Sequence, residues 1–508
     1  MSDDPQQAVI DFLAAPESHG GAAVTRIDTH AAAVFLAGPR ALKIKRAVRF
    51  PFLDYSTLAK RKAACEAELA VNRPYAPAIY KRVLPVTREA DGRLALAGQG
   101  EPVEWAVEMA RFDERETLDH IAGRDRIDDA LADALGRAVA DAHAGAAPVD
   151  GFGFADVLAE IVTQNDAELR GTPALFPSAE IAALTQATRA ALERVRPLIE
   201  VRERDGLVRR CHGDLHLGNI VLIDRKPVLF DAIEFDDRIA TADVFYDLAF
   251  LLMDLIERDL PAAATIVLNR YLTSTARPGD LDALAALPLF LSTRAAIRAK
   301  VTAARAAHAR DRVEAEQSAR DYFALARRLI APPPPQLVAV GGLSGTGKSV
   351  LARTLAARLP PLPGAVVLRS DVERKQLCGV AETERLPQAA YAADVTARVY
   401  ASLAGKAKRV LAAGHSAIVD AVFGRDGERA DIAGAAGART FRGLFLTADL
   451  ATRVARVGAR VADASDAGPD VARQQEQYDL GRLDWTEVDA SGTPAATLAR
   501  ALEALRPR

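Results

Sequence analysis

Short alternations of apolar and polar residues open the chain. VTRID, AVFLA, ALKIK and VEWAVEM, between residues 24 and 109, read as short β runs, and one stretch of helical period, about 57 to 72, interrupts them. From 128 to 330 the apolar positions recur mainly at helical spacing, with a short β-like insert from 208 to 235. Strands first and helices afterwards predict a small β-rich lobe on a larger helical lobe. Beyond residue 336 the pattern changes again. LVAVG, a helix over 348–358, VVLRS, a long helix over about 391–412, SAIVD, a helix from about 427 and FRGLFL follow one another. That alternation predicts a parallel sheet covered by helices on both faces.

The change of pattern falls at four consecutive prolines, Pro332 to Pro335. Such a run joins neither a helix nor a central strand, and as polyproline II it is a stiff spacer of roughly 3 Å per residue. A chain of 508 residues also exceeds one ordinary core, which stops growing near ~250–300 residues. The expected division is 1–331, with a small lobe over about 20–112 and a helical lobe over about 113–331, then the linker 332–335, then 336–508.

Composition narrows the classes of partner. Half the residues are hydrophobic, 26% are charged and the formal net charge is −3. There is no basic field to steer nucleic acid or an acidic membrane, so small-molecule partners are expected. The acidic opening MSDDPQQAVIDFLAA reads as no secretory signal, and Asp254 interrupts the richest apolar run, LAFLLMDLI. A cytoplasmic location is the expectation. Cys65, Cys211 and Cys378 are too scattered for a disulfide framework or zinc cluster and are expected as small buried hydrophobes.

The strongest local signal is GLSGTGKS, Gly342 to Ser349, entered from an apolar strand and left by a helical pattern. Backbone amides of Gly342, Ser344, Gly345, Thr346 and Gly347 are expected to curl around ATP phosphates. Lys348 would neutralise β/γ charge, and Ser349 would ligate Mg²⁺. Asp371 ends the second strand and Arg374 follows it. This part resembles polynucleotide kinases, gluconate kinases and zeta-toxin-like kinases. The resemblance implies that Asp371 is the base on the acceptor hydroxyl and Arg374 a substrate or phosphate contact; a helix-capping Asp371 is the alternative. Arg453, Arg456 and Arg460 lie at helical spacings before a polar loop, where a lid would bring an arginine over the γ-phosphate. Arg460, nearest the loop, is the preferred one, with a solvated Arg face as the alternative. Asp420, ending SAIVD, is a candidate for the Mg²⁺ shell or a simple strand-end turn.

A second constellation lies upstream. HGDLHLGN, residues 212–219, is followed by an apolar run and Asp231. The order is that of a kinase catalytic loop and metal aspartate, in the version that resembles aminoglycoside phosphotransferases and related choline and sugar kinases. Asp214 would orient the acceptor hydroxyl, Asn219 and Asp231 would give hard oxygens to Mg²⁺, and His216 would order the loop. The ATP-anchoring lysine is expected in ALKIKR, as Lys43 or Lys45, which share a strand face, with Lys43 the preferred anchor and Lys45 its neighbour. Its partner is Glu66 or Glu68, and the family resemblance favours Glu68. No glycine-rich phosphate loop precedes Lys43, since Thr29 to Ala33 has no glycine. WAVEMARF reads as the last strand of the small lobe, where Glu108 to Ala110 would meet adenine unless it is a plain edge strand. Asp243 and Asp247 share a helical spacing and are implied as a brace to the catalytic loop. Arg294 and Arg298 share a face that could receive an anion, although a solvated helix is the plainer reading. His143 and His415 are expected to be packed or without a role.

Taken with FPFLDYSTLAKRKAACEAEL and SDVERK, the arrangement resembles bacterial bifunctional aminoglycoside phosphotransferase/ATP-binding proteins. The implied fold is an α+β, protein-kinase-like two-lobed domain followed by an α/β P-loop domain with a doubly wound parallel sheet. The implied activity is bifunctional, each domain transferring the ATP γ-phosphate to a hydroxyl of a small molecule that is sugar-, aminoglycoside- or nucleoside-like. The alternatives are one active kinase regulated by an ATP-binding second domain, or a nucleotide-binding scaffold.

Overall fold

The computed structural model describes residues 6–50, 53–124, 127–306, 311–459 and 464–506. Two compact units are present: Met1–Phe154 with Arg202–Asp254, and Ala155–Val201 with Leu255–Arg508.

In the first unit, strands β1 (Val24–Asp28), β2 (Ala32–Ala37), β3 (Arg40–Lys45), β4 (Tyr80–Arg88), β5 (Leu94–Leu96) and β6 (Glu101–Ala110) form one antiparallel sheet in the order β1-β2-β3-β6-β4-β5. One face buries Phe35, Leu42, Ile44, Val86 and Ala106 under Ile10 and Leu13 of an N-terminal helix. Helix α1 (Leu58–Asn72) starts at Thr57, whose hydroxyl accepts from Lys60 N at 3.3 Å. Its buried face is Arg61, Cys65, Glu68 and Asn72, a polar set at helical spacing that core packing alone does not require. The hairpin of β7 (Ile220–Ile223) and β8 (Lys226–Leu229) follows the HGDLHLGN loop and leads to Asp231. On helix α2 (Val244–Glu257), Asp247 accepts from His212 N at 3.3 Å and Gly213 N at 2.9 Å, and Asp254 accepts from Leu217 N at 2.9 Å. Buried Asp243 takes both Nε and Nη2 of Arg202, at 2.7 and 2.9 Å. Asp247 and Asp254 thus hold the backbone of the 212–217 segment, whereas Asp243, expected beside Asp247 as a brace, bonds Arg202 and Phe245 N instead.

In the second unit five parallel strands run in the order β10-β11-β9-β12-β13, where β9 is Gln336–Gly342, β10 Val366–Arg369, β11 Ala417–Asp420, β12 Thr440–Thr447 and β13 Thr486–Asp489. Val338, Val340, Ile418, Leu444 and Leu446 form its core with helix α4 (Lys348–Ala356). The helices Leu287–Ala306 and Arg312–Ile330, upstream of the prolines, pack on each other in this same unit. So does helix α3 (Pro261–Thr275), which covers the free edge of β10. Asn269 donates Nδ2 to Ala365 O at 3.1 Å and accepts Val367 N at 2.7 Å, mimicking a neighbouring strand. Thr265 donates to Pro363 O at 2.7 Å, and Arg270 pairs with Glu382 at 2.6 Å. The proline run therefore lies within a compact unit.

Two expectations change. Cys65 and Cys211 are buried, but Cys378 is exposed. Arg294 is buried, not part of a solvated face, while Arg298 lies over the Tyr322 ring. His143 and His415 are both buried, bonded to Asp247 and to Gly364 O respectively. Among the described residues no helix is long and apolar enough to cross a membrane.

Two candidate phosphotransfer sites

In the first site both strand lysines are used. Fully buried Glu68 accepts Lys43 at 2.8 Å through one oxygen and Lys45 at 2.6 Å through the other. Lys43 also reaches Asp231 at 2.9 Å, whereas Lys45 pairs with Glu234. Lys43 is thus the lysine beside the metal candidate, and Lys45 sits deeper. Exposed Glu66 only nears Lys62, at 3.7 Å. Burial works against the Glu68 carboxylate, but the two lysines outweigh it and bring its pKa down to about 2. Burial also opposes the Lys43 ammonium, and Asp231 and Glu68 outweigh it, so its pKa stands well above the ordinary value.

Asp231 adopts φ +59°, a left-handed conformation that an L-residue holds only when its surroundings enforce it. Three tethers do so: the Lys43 pair, Asp231 N donating to Tyr80 Oη at 3.2 Å, and the Asn72 amide bonded to both N and O of Ala232 at 2.7 and 3.2 Å. In the catalytic loop, Gly218 N donates to His216 Nδ1 at 3.1 Å, which leaves the ring proton on Nε2, 3.4 Å from Asp214 Oδ2. Asn219 donates Nδ2 to Asp214 O and Oδ2 at 2.9 and 3.1 Å. Asn219 Oδ1 and Asp231 Oδ2 then have no partner among the described residues, and such hard, unpaired oxygens suit a divalent cation.

The Glu108 side chain and the Ala110 N–H are not open to adenine. The Glu108 side chain lies between Arg40 at 2.5 Å and Arg82 at 2.6 Å, and Ala110 N is donated to Ile79 O at 2.8 Å. The reason is topological, because β6 is an interior strand flanked by β3 and β4.

The second site is built on β9, its loop and α4. Gly342, Gly345 and Gly347 have φ +136°, +89° and +91°, and a Cβ on Gly345 would meet Arg453 O at 2.4 Å. Only glycine lets the loop lie this close to helix α7 (Leu450–Gly458). Lys348 Nζ donates to Leu343 O at 3.2 Å, as does the Thr346 hydroxyl at 2.8 Å. Ser349 donates to Asp420 at 2.5 Å, and Arg369 lies 3.5 Å from the same carboxylate. A serine hydroxyl at the loop's end backed by a strand-end carboxylate is a donor set that fits Mg²⁺. Asp371 opens helix α5 (Ser370–Cys378), and its pKa is raised first by burial and then by Asp420, against the pull of Arg369 and Lys348. A carboxylate with raised proton affinity suits a general base.

Three arginine and loop expectations are corrected. Arg374 is buried and donates to Ala390 O at 2.7 Å and to Thr396 of helix α6 (Ala393–Ala412) at 3.2 Å, with its guanidinium over Tyr391. Its bonds position that segment instead of reaching out beside Asp371. Arg453 is buried against Ala472 O and Glu476 and so belongs to no solvated or lid face, while half-exposed Arg456 bonds Gly492 O. Arg460 lies outside the described residues. The Ser344 amide is taken by Gln475 Oε1 at 2.6 Å and is not open to a phosphate. Asp466, just beyond, gathers Lys375 at 3.2 Å, Leu386 N at 3.0 Å and Tyr391 Oη at 2.7 Å. Sequence reading missed Asn72, Asp466 and Gln475, and it names Glu234 after the metal aspartate without a role. For Asn72 a signal existed, because it follows Glu68 by one helical turn.

Residues 47–287 match the family model described as phosphotransferase enzyme family, and residues 337–479 match one described as an AAA domain. Along the chain, a segment matching the phosphotransferase family is thus followed by a segment that carries the P-loop. The chain is a kinase-class, ATP-using enzyme with the two-lobed and doubly wound folds in tandem. It is similar to a Mycobacterium tuberculosis protein described as uncharacterized, 29% identical over 489 residues, 93% of this chain and 94% of that protein. Among solved structures, a gluconokinase from Sinorhizobium meliloti 1021 is 19% identical, covers 34% of this chain and 91% of its own, and has a TM-score of 0.26. A choline/ethanolamine kinase family protein from Mesorhizobium loti is 14% identical, covers 64% and 94%, and has a TM-score of 0.35.

Proposed function

We propose that the chain is a bifunctional ATP-dependent phosphotransferase, whose modules 1–331 and 336–508 each pass the γ-phosphate to a hydroxyl of a small molecule. The observation that carries this reading is the doubling of the chemistry: Asp214, Asn219, Asp231 and Lys43 meet in one place, and Lys348, Ser349, Asp371 and Asp420 in another. In the first, Lys43 holds the phosphates, and Asp214, oriented by Asn219 and the Nε2 proton of His216, accepts the acceptor's hydroxyl proton. Adenine contacts pass to the backbone just beyond β6. In the second, Lys348 draws phosphate charge and Asp371 takes the proton. Mg²⁺, held by Asn219 and Asp231 or by Ser349 and Asp420, would neutralise charge across the β- and γ-oxygens. A cytoplasmic setting with sugar-, aminoglycoside- or nucleoside-like acceptors belongs to the same proposal.

The test is acceptor-dependent ADP release over a panel of sugars, aminoglycosides and nucleosides for wild type, Asp214→Asn and Lys348→Ala. Each substitution is expected to abolish a different activity. A second reading, in which the first module senses nucleotide, is favoured by one feature: the β1–β2 turn is closed by Thr29, whose hydroxyl accepts Ala32 N at 2.9 Å, with no glycine loop to enclose a γ-phosphate. Transfer that survives Asp214→Asn for every acceptor would favour that reading.

A further inference from the structure

Behind the phosphate loop lies a chain of contacts that the kinase chemistry above does not use. Arg453 on α7 is buried, forms the floor beneath Gly345, and pairs with Glu476. That pair fixes the 3-10 turn Gln475–Gln477 after helix α8 (Pro469–Gln474), and the turn delivers Gln475 to the loop. Gln475 is itself buried, and its Oε1 accepts Ser344 N at 2.6 Å across 131 residues of sequence. With the oxygen committed, the carboxamide has one rotational choice, and its Nε2 donor has no hydrogen-bond partner among the described residues. A side-chain amide of this kind carries two donors on that nitrogen.

The two limbs of the loop have different duties. Gly347, Lys348 and Ser349 begin α4, so the positive end of that helix and its amides take the inner phosphates. Ser344 lies on the opposite limb, the one left to the outer end of a triphosphate when α4 takes its inner phosphates, and its own amide is withdrawn from phosphate binding. We propose that Gln475 supplies the missing donor: it is a nucleotide-discriminating residue whose Nε2 bonds the γ-phosphate of ATP while Oε1 holds the loop limb, so that this site distinguishes ATP from ADP. The inference rests on the reading of Gly342–Ser349 as a nucleotide site.

The experiment uses the full chain carrying Lys43→Ala and Asp231→Asn to silence the first site, and titrates MgATP and MgADP by calorimetry. Gln475→Glu keeps an acceptor for Ser344 N but sets a carboxylate against the γ-phosphate. It is expected to weaken ATP about tenfold or more while ADP changes less than about threefold, the scale of a charge-assisted hydrogen bond lost and a like charge gained. Gln475→Met, of similar length with no donor, is expected to lower the ATP preference by about threefold or more. An ATP-to-ADP affinity ratio unchanged in both variants would overturn the proposal, even if both nucleotides bound more weakly, because loop bracing alone predicts a parallel loss. Lys348→Ala separates the two levels: it is expected to lose both nucleotides, and nucleotide binding that survived it would overturn the site itself.

Discussion

The two sites solve the same problem with different materials. The first gathers charge from side chains far apart in sequence: two lysines, two glutamates and one aspartate share an ionic net around Glu68, and the strained Asp231 is held by Tyr80 and Asn72. The second relies on backbone, with a loop of positive-φ glycines running into a helix. The first site is therefore sensitive to the loss of any one charge, since each removal strands another buried charge. The second is sensitive to whatever alters the path of its loop and the strands beside it.

Four substitutions sharpen that contrast. The largest effect is expected from Asp214→Asn, which should lower transfer at the first site by about 10²–10⁴-fold, leaving the second site's rate unchanged in the same ADP-release assay. Next comes Glu68→Ala, which leaves Lys43 and Lys45 short of their shared partner and should cost about 3–5 kcal/mol in a denaturant titration. Glu66→Ala, two residues earlier and exposed, should cost less than about 0.5 kcal/mol. Asn269→Ala uncovers Ala365 O and Val367 N at the edge of β10 and should cost about 1–3 kcal/mol, read as faster hydrogen exchange confined to β10 and its neighbours.

The smallest is a pH effect. Burial lowers the pKa of His415 from 6.5 to about 4, against the bond to Gly364 O. A depressed pKa means the folded state favours the neutral ring, so its contribution is complete above 6.5 and is lost progressively as pH falls from there through about 4. Melting temperatures of wild type should fall across that window, and His415→Gln should flatten the slope.

How far the sequence could be read follows the same division. The P-loop was legible because its pattern is contiguous and its neighbouring strand and helix have clean periods. The catalytic loop was legible for the same reason. What lay hidden needs contacts across long separations: Asn72 with Ala232, 160 residues apart, and Gln475 with Ser344. Strand β4 escaped notice because Pro85 and its irregular pairing with β6 break the alternation of Tyr80, Val83, Leu84 and Val86. Arg374 and Arg453 read as functional because arginines seldom lie buried. Here a ring, carbonyls and a carboxylate lie against them inside.

The most direct test is phosphorylated-product formation, followed acceptor by acceptor, for Asp214→Asn, Asp371→Asn and the double variant. Two independent centres require that each single variant silence a separate acceptor and that the double variant silence all. Any acceptor still phosphorylated at the wild-type rate by the double variant would contradict the account.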